Sequence, residues 1–319
     1  VIGSTKNDYI IGNDEKNILD GKGGNDYFVL GQGQDTILGD TGTDTITFTN
    51  ILRTIGVNVD LSKNQSYGSP DSYRVISDGF GNAKYLDSIE NVIGTDFDDT
   101  IFGNSDANTL IGGAEKDTLK GGLGADVLDG GTGEDWAYFN DIAVSGANIV
   151  LDTDGNSANG SSGTSNITGY TTTLLGIEHI KATILADTIR ADDNANSILA
   201  GGGNDTIYSS KGSDYIDGEE GIDTIDYAIA DVTSGLIIDL GTTQVIGTDT
   251  TWAVQDDGYG NKELVYNIEN VVGTKNNDFI KGNTQNNTIW AGSGDDTLYG
   301  VSGNNILIGG IGSDTFRGG

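Results

Sequence analysis

An oxygen-bearing side chain recurs every nine residues along this sequence, in four runs of five. Asp8, Asn17, Asp26, Asp35 and Asp44 form the first run, and Asp99, Asn108, Asp117, Asp126 and Asp135 the second. Asp187, Asn196, Asp205, Asp214 and Asp223 form the third, and Asp278, Asn287, Asp296, Asn305 and Asp314 the fourth. The 20 positions hold 15 Asp and 5 Asn and no other residue type. A solvated acidic face would not keep such a phase. Oxygen ligands at fixed spacing, in a chain with no Cys and one His, suit a hard cation. Calcium accepts six to eight oxygens at about 2.3–2.6 Å in flexible geometry, whereas magnesium demands a stricter octahedron. Zinc would want His or Cys. Calcium is therefore the expected ion.

The surrounding residues say how those oxygens are positioned. The full unit reads G-G-x-G-x-D-x-U-x, with U apolar, as in Gly121-Gly122-Leu123-Gly124-Ala125-Asp126-Val127-Leu128-Asp129 and Gly309-Gly310-Ile311-Gly312-Ser313-Asp314-Thr315-Phe316-Arg317. Position eight is Ile10, Leu19, Phe28, Ile37 and Ile46 in the first run, and across all runs only Ala137 is small there. A six-residue loop followed by a three-residue strand returns the chain as a right-handed parallel coil, with only position eight facing inward. Two nonapeptides make one coil, so each loop stacks on the loop 18 residues later, about 4.8 Å away. Glycine permits positive φ and leaves carbonyl oxygens uncovered. No 3.6-residue pattern is present, and glycine at this density opposes helix. The expected fold is all-β: a right-handed parallel β-roll with three strand-containing insertions.

The units are unequal. Position four is Gly in 11 of 20, and the first two units of every run lack it, so the better loops are expected late in each run. The expected metal ligands are Asp8, Asp26, Asp35, Asp44, Asp99, Asp117, Asp126, Asp135, Asp187, Asp205, Asp214, Asp223, Asp278, Asp296, Asn305 and Asp314. Three loop pairs per run allow up to 12 ions, which would offset 24 of the 32 net negative charges.

The runs occupy residues 1–47, 93–138, 182–226 and 273–319, separated by spacers at 48–92, 139–181 and 227–272, all expected to form one continuous solenoid. The spacers are related: Ile89-Glu90-Asn91-Val92-Ile93-Gly94-Thr95 matches Ile268-Glu269-Asn270-Val271-Val272-Gly273-Thr274, and Ile177-Glu178-His179-Ile180 is a diverged copy. Alternating strands are predicted at Val57–Leu61, Ile149–Asp152 and Leu236–Leu240. Trp136 and Trp290 flank inward positions and should face outward. Trp252, Tyr259 and Tyr266, with Tyr67, Tyr73, Phe80 and Tyr85, are expected to build apolar caps on the roll, or alternatively to stack on glycans. Val1 and Gly319 both fall within motifs, so the sequence is expected to be a piece of a longer protein.

Composition narrows the partners. With 48 Asp and Glu against 16 Lys and Arg, the net charge is -32. Nucleic acid requires basic neutralisation and anionic membranes recruit basic clusters, so neither is an expected partner. No apolar run reaches the length of a membrane span. Low hydrophobicity with high charge normally means disorder, which is the expected state without cations. HExxH, Walker A and nucleotide fingerprints are missing, as is a G-x-S-x-G elbow. His179 takes a slot filled by Asn91 and Asn270 elsewhere, which points to a structural role. The pairs Asp98-Asp99 and Asp295-Asp296 lie in the loops, and only Asp256-Asp257 lies outside them. No catalytic residue and no organic cofactor are expected.

The nonapeptide, together with the spacer endings Ile-Glu-Asn-Val, closely resembles the RTX repeats of large secreted and surface proteins of Gram-negative bacteria. The resemblance implies a calcium-filled β-roll, export by a type I secretion system, an extracellular or cell-surface location, and folding when the chain meets external calcium. It further implies a non-enzymatic structural role in a surface layer, fibre or adhesin rod, with copies of the chain as possible partners. The alternatives are a secretion and folding module appended to a toxin or hydrolase, and a glycan-binding adhesin module.

Overall fold

The computed structural model describes residues 1–49, 53–62, 75–140, 145–151, 162–167, 170–228, 232–242 and 252–318. Tyr67, Tyr73 and Asp152 lie outside the described residues. Among those described, every regular element is a strand, most of them three residues long. The chain divides into two compact units, Val1–Phe139 with Ser157–Ile177, and Asn140–Asn156 with Glu178–Gly319.

In the first unit, successive nonapeptides alternate between two faces. Tyr9–Ile11, Tyr27–Val29 and Thr45–Thr47 stack in parallel, with Ile10 beside Phe28 and Phe28 beside Ile46. Ile18–Asp20 and Thr36–Leu38 stack on the other face, Leu19 beside Ile37. The 18-residue coil expected from the sequence is therefore the fold. The side chain at position eight is the middle residue of each strand, and it is the one that turns inward. Phe28, Ile37, Ile46, Ile101, Leu110, Leu119 and Leu128 are all wholly buried. Each fully buried aliphatic side chain contributes about 1.5–3 kcal/mol, so the thin interior is stabilised one rung at a time.

The spacers are rungs as well as insertions. Asn91–Ile93 stacks in parallel on Thr45–Thr47, and Tyr85–Asp87 on Thr36–Leu38, so the end of the first spacer completes a coil. Asn58–Asp60, from its front, pairs in parallel with Thr100–Phe102 and so opens the next stack. The expected strand at Val57–Leu61 is present with its ends trimmed. What the parallel scheme did not anticipate is antiparallel pairing inside the spacers. Asn58–Asp60 pairs antiparallel with Val75–Ser77, and Ser162–Ile167 with Tyr170–Leu175. Ser162–Ile167 and Tyr170–Leu175 lie two residues apart as a hairpin, a connection that antiparallel neighbours allow, whereas parallel neighbours need a crossover.

The second unit repeats the scheme. Thr188–Arg190, Thr206–Tyr208 and Thr224–Asp226 stack at 18-residue steps. Asn270–Val272 continues on Thr224–Asp226, and Thr288–Ser293 follows. Leu264–Tyr266 stacks on Tyr215–Asp217. Ile237–Asp239 pairs antiparallel with Val254–Asp256 and in parallel with Phe279–Lys281.

Candidate metal centre

Each loop closes onto the strand that follows it, and the position-six side chain ties one loop to the next. In the first three units of each run, the amide of this residue donates to Oδ1 of the residue 18 further on. Asp26 donates to Asp44 at 2.7 Å, Asp99 to Asp117 at 2.7 Å, and Asp205 to Asp223 at 2.8 Å. Asn108 donates to Asp126 at 2.9 Å, Asp117 to Asp135 at 2.7 Å, and Asp296 to Asp314 at 3.1 Å. The ladder consumes one carboxylate oxygen per loop and leaves the other aimed back into its own loop.

That second oxygen separates the loops into classes. In Asp26, Asp44, Asp117, Asp126, Asp205, Asp214, Asp223 and Asp296 the buried Oδ2 has no hydrogen-bond partner. These side chains belong to residues at most 1% exposed. Burying an ionised carboxylate without compensation is costly, and the titration of Asp44, Asp117, Asp126, Asp205, Asp214 and Asp223 reflects it. Burial pushes the Asp214 carboxyl up to about 9, Asp117 to about 8 and Asp205 to about 7. Asp44, Asp126, Asp135 and Asp223 rise to about 6, again because burial disfavours the charged form.

The glycines explain how Oδ2 finds room. A Cβ on Gly121 would collide with the Asp126 carboxylate, and a Cβ on Gly122, whose φ is +97°, would collide with the Asn104 carbonyl of the preceding coil. The nearest atoms to these two added carbons are oxygens, the Asp126 carboxylate of the same loop and the Asn104 carbonyl of the preceding coil. Among the described residues no three His, Cys, Asp or Glu side chains form a cluster able to hold a metal. A cation here would rest on backbone carbonyls with a carboxylate from each flanking loop, a donor set that suits calcium. Orphaned buried carboxylate oxygens beside backbone carbonyls fit that ion, which would supply the missing positive charge between stacked loops.

Six expected ligands are placed differently. At the head of each run a Ser or Thr four residues upstream occupies the inner oxygen. Ser4 N–H donates to Asp8 Oδ2 at 2.6 Å, Thr95 to Asp99 at 2.6 Å, Thr183 to Asp187 at 2.8 Å and Thr274 to Asp278 at 2.7 Å. The hydroxyls of Thr95, Thr183 and Thr274 bond the same carboxylates. These loops are closed by protein donors. Asn305 accepts the Asn287 N–H on Oδ1, and its Nδ2 donates to Gly300 O and Ser302 O, so its amide fills its own loop. Asp35 is met by a cation from the protein itself: Lys84 Nζ lies 2.9 Å from Asp35 Oδ2.

Sequence reasoning passed over the residues that continue the ladder across spacers. Glu90 Oε2 accepts the Asp44 N–H at 2.8 Å, and Glu269 Oε2 accepts the Asp223 N–H at 2.9 Å. Glutamate here does the work of the next aspartate. The signal was available, since Ile-Glu-Asn-Val recurs at one distance after both runs. The Asn of that motif also has a task. Asn91 Oδ1 accepts Thr109 N–H, Asn270 Oδ1 accepts Thr288 N–H, and His179 Nδ1 accepts Ser197 N–H at 3.0 Å. The single histidine therefore serves as an acceptor in a repeated structural slot. Trp290 is 44% exposed on its strand, and Trp136 is half-buried with its ring edge-on to Tyr138.

A stack of nine-residue loops that sets buried, unpartnered carboxylate oxygens beside backbone carbonyls defines a cation-loop solenoid. The family model of the RTX calcium-binding nonapeptide repeat matches residues 1–28, 11–46, 87–119, 102–137, 186–225, 272–307 and 299–319. These matches cover more than half of the chain, and the chain belongs to the RTX calcium-binding repeat family. It is a calcium-binding repeat protein with an RTX β-roll fold. No curated protein matches the chain.

Proposed function

We propose that this chain is an extracellular structural segment, exported by a type I system, that folds as its loops take up calcium outside the cell and then serves as a rod in a surface layer, fibre or adhesin. The observation that carries the reading is the row of buried Oδ2 atoms without partners at Asp26, Asp44, Asp117, Asp126, Asp205, Asp214, Asp223 and Asp296. With Asp135 and Asp314 on the same ladder, these are the proposed ligands. The head-of-run aspartates Asp8, Asp99, Asp187 and Asp278 are proposed to close their loops by hydrogen bonds instead.

The logic is electrostatic. With 32 excess negative charges, the chain repels itself wherever calcium is scarce, as in a cytoplasm, and would remain extended and exportable. Millimolar calcium outside matches the affinity range of extracellular modules and stabilises the fold by mass action. No catalytic constellation is proposed, and a repeated, self-similar rod suits a structural task.

Circular dichroism and small-angle scattering with calcium and with chelator test this reading. The expected result is an expanded chain in chelator that compacts and gains β signal as calcium is added. An unchanged compact β-roll in chelator sinks it. Localising the chain to the cell surface only when the type I exporter is intact tests the cellular part.

A further inference from the structure

The first spacer returns to the roll carrying a lysine into a nonapeptide loop. Lys84 is wholly buried, and its Nζ reaches Gly31 O at 2.9 Å, Gly33 O at 2.6 Å and Asp35 Oδ2 at 2.9 Å. Those three residues are positions two, four and six of one unit. A further oxygen, Asp78 Oδ2 at 2.9 Å, comes from the hairpin that caps the loop and bears the lysine. Four oxygens from two segments thus converge on one positive charge.

Both carboxylates of this cage are fully committed. Asp35 Oδ1 accepts the Asn17 amide at 2.8 Å, and Asp78 Oδ1 accepts the amides of Phe80 at 3.0 Å and Asn82 at 2.9 Å. Lys84 takes the remaining oxygen of each. Arg53, itself buried, donates from Nε to Asp78 O at 2.8 Å, so two buried acids meet two buried bases. A buried ion pair holds only when its other lone pairs are satisfied, and here they are. Asp26 and Asp44 of the same run differ, since their inner oxygens have no hydrogen-bond partner.

The third spacer shows that the hairpin alone does not supply the cation. Asp257-Gly258-Tyr259-Gly260-Asn261-Lys262-Glu263 aligns with Asp78-Gly79-Phe80-Gly81-Asn82-Ala83-Lys84, and the two backbones are bonded alike. Lys84 exchanges two hydrogen bonds with Val75, and Glu263 two with Val254. Each hairpin docks on the fourth loop of a run, with Tyr85 N–H on Asp35 O and Leu264 N–H on Asp214 O, both at 2.9 Å. At the place of the lysine, Glu263 accepts from Ser209 Oγ and Tyr227 Oη, and Asp214 Oδ2 stays without a hydrogen-bond partner. One side chain decides whether the inner oxygen of a capped loop is matched by the protein itself.

We propose that Lys84 is the resident cation of the loop at 31–35: its ammonium does there what calcium does in the loops with orphaned oxygens, so this loop takes no calcium and its junction with the first spacer draws no stability from the ion. The inference rests on the calcium reading of the loops and deepens it by naming the residue that makes the ion skip one of them. Lysine suits the place. Its ammonium is a compact charge with three rotatable donors on a flexible stem, which four oxygens satisfy, whereas calcium takes six to eight.

Counting calcium bound per intact chain, by equilibrium dialysis followed by elemental analysis, tests the proposal. Asp35→Asn keeps an acceptor for the Asn17 amide and should leave the count unchanged. It should shift the calcium midpoint of folding by less than about twofold, whereas Asp26→Asn, in a loop with an orphaned oxygen, should raise that midpoint about tenfold. Lys84→Met should lower the melting temperature in saturating calcium. Adding Asp35→Asn should recover part of that loss, because it removes a charge that the first change leaves unpaired. Anomalous diffraction from the wild-type chain should place no calcium beside Asp35 Oδ2. A folded Asp35→Asn chain that has lost an ion, or an ion found beside Asp35, overturns this inference and leaves the loop reading standing. Should Lys84→Met fail to fold, the Asp35→Asn count still decides. A wild-type chain that binds no calcium overturns both readings.

Discussion

Asp117 accepts the amide of Asp99 on Oδ1 at 2.7 Å, while its Oδ2 lies buried with no hydrogen-bond partner. One side chain thus does two jobs. Its outer oxygen sets the register of coil on coil, and its inner oxygen leaves a charge that the protein does not balance.

The two oxygens can be separated by mutation. Asp126→Asn keeps an acceptor for the Asn108 amide, now at 2.9 Å, and removes the charge. It should raise the calcium midpoint of folding about tenfold, the equivalent of ~1.4 kcal/mol. Asp126→Ala, which loses both roles, should be worse, and Asp87→Ala, on an exposed position, should change little. Calcium titrations followed by circular dichroism rank the three. Equal effects from Asp126→Asn and Asp87→Ala would remove Asp126 from the ligand set.

Protons should compete with calcium for the same oxygens. The folded-state carboxyls of Asp214, Asp117 and Asp205 lie near 9, 8 and 7 because burial disfavours their charge, against ~3.9 in an unfolded chain. A raised folded value means that the fold binds more protons than the unfolded chain. Without calcium, stability from these groups is present in acid and lost as pH rises through about 7 to 9. The chelated chain should gain β signal as pH falls from 9 to 5. With calcium present, the concentration needed for folding should rise over the same descent. A calcium midpoint indifferent to pH between 6 and 9 contradicts the assignment.

Two glycines separate close approach from backbone strain. Gly81 and Gly122 have φ of +84° and +97°, but a Cβ at Gly81 meets nothing within 4 Å whereas one at Gly122 collides with Asn104 O. Gly81→Ala should cost ~1 kcal/mol, the left-handed penalty alone. Gly122→Ala should cost more, because the coil spacing must open. Thermal melts in saturating calcium compare them, and equal melting temperatures would show that loop stacking tolerates the extra atom.

Thin cores should fail locally. Leu128 is wholly buried and stacks on Leu110 from the preceding coil and Leu174 from the next. Leu128→Ala should destabilise by ~2–5 kcal/mol, and in a solenoid the loss should fall on neighbouring rungs. Hydrogen exchange should show lost protection at Leu110 and Leu174, with Ile10 unaffected. Uniform loss along the first unit would mean that it unfolds as one body.

The 18-residue coil, the inward column and the oxygen-rich loops were legible in the residues because all three are local: a nine-residue phase dictates strand length, facing and stacking offset. Less legible was which oxygens remain uncommitted. Asp99 and Asp117 look equivalent in sequence, yet Thr95 occupies the inner oxygen of one and nothing bonds that of the other. The Ser or Thr four residues before the first aspartate of each run carried that information.

The sequence by itself therefore determined the solenoid and its ion, since period, residue type and glycine content act over single loops. Only the tertiary structure decided where the spacers rejoin the roll, because a rung's neighbour is set by stacking and not by distance along the chain. It places Glu90 under Asp44 after 46 intervening steps and Lys84 against Asp35 after 49. An ammonium in one cap and a carboxylate in the other occupy the same position, and which charge a loop meets depends on what the fold returns to it.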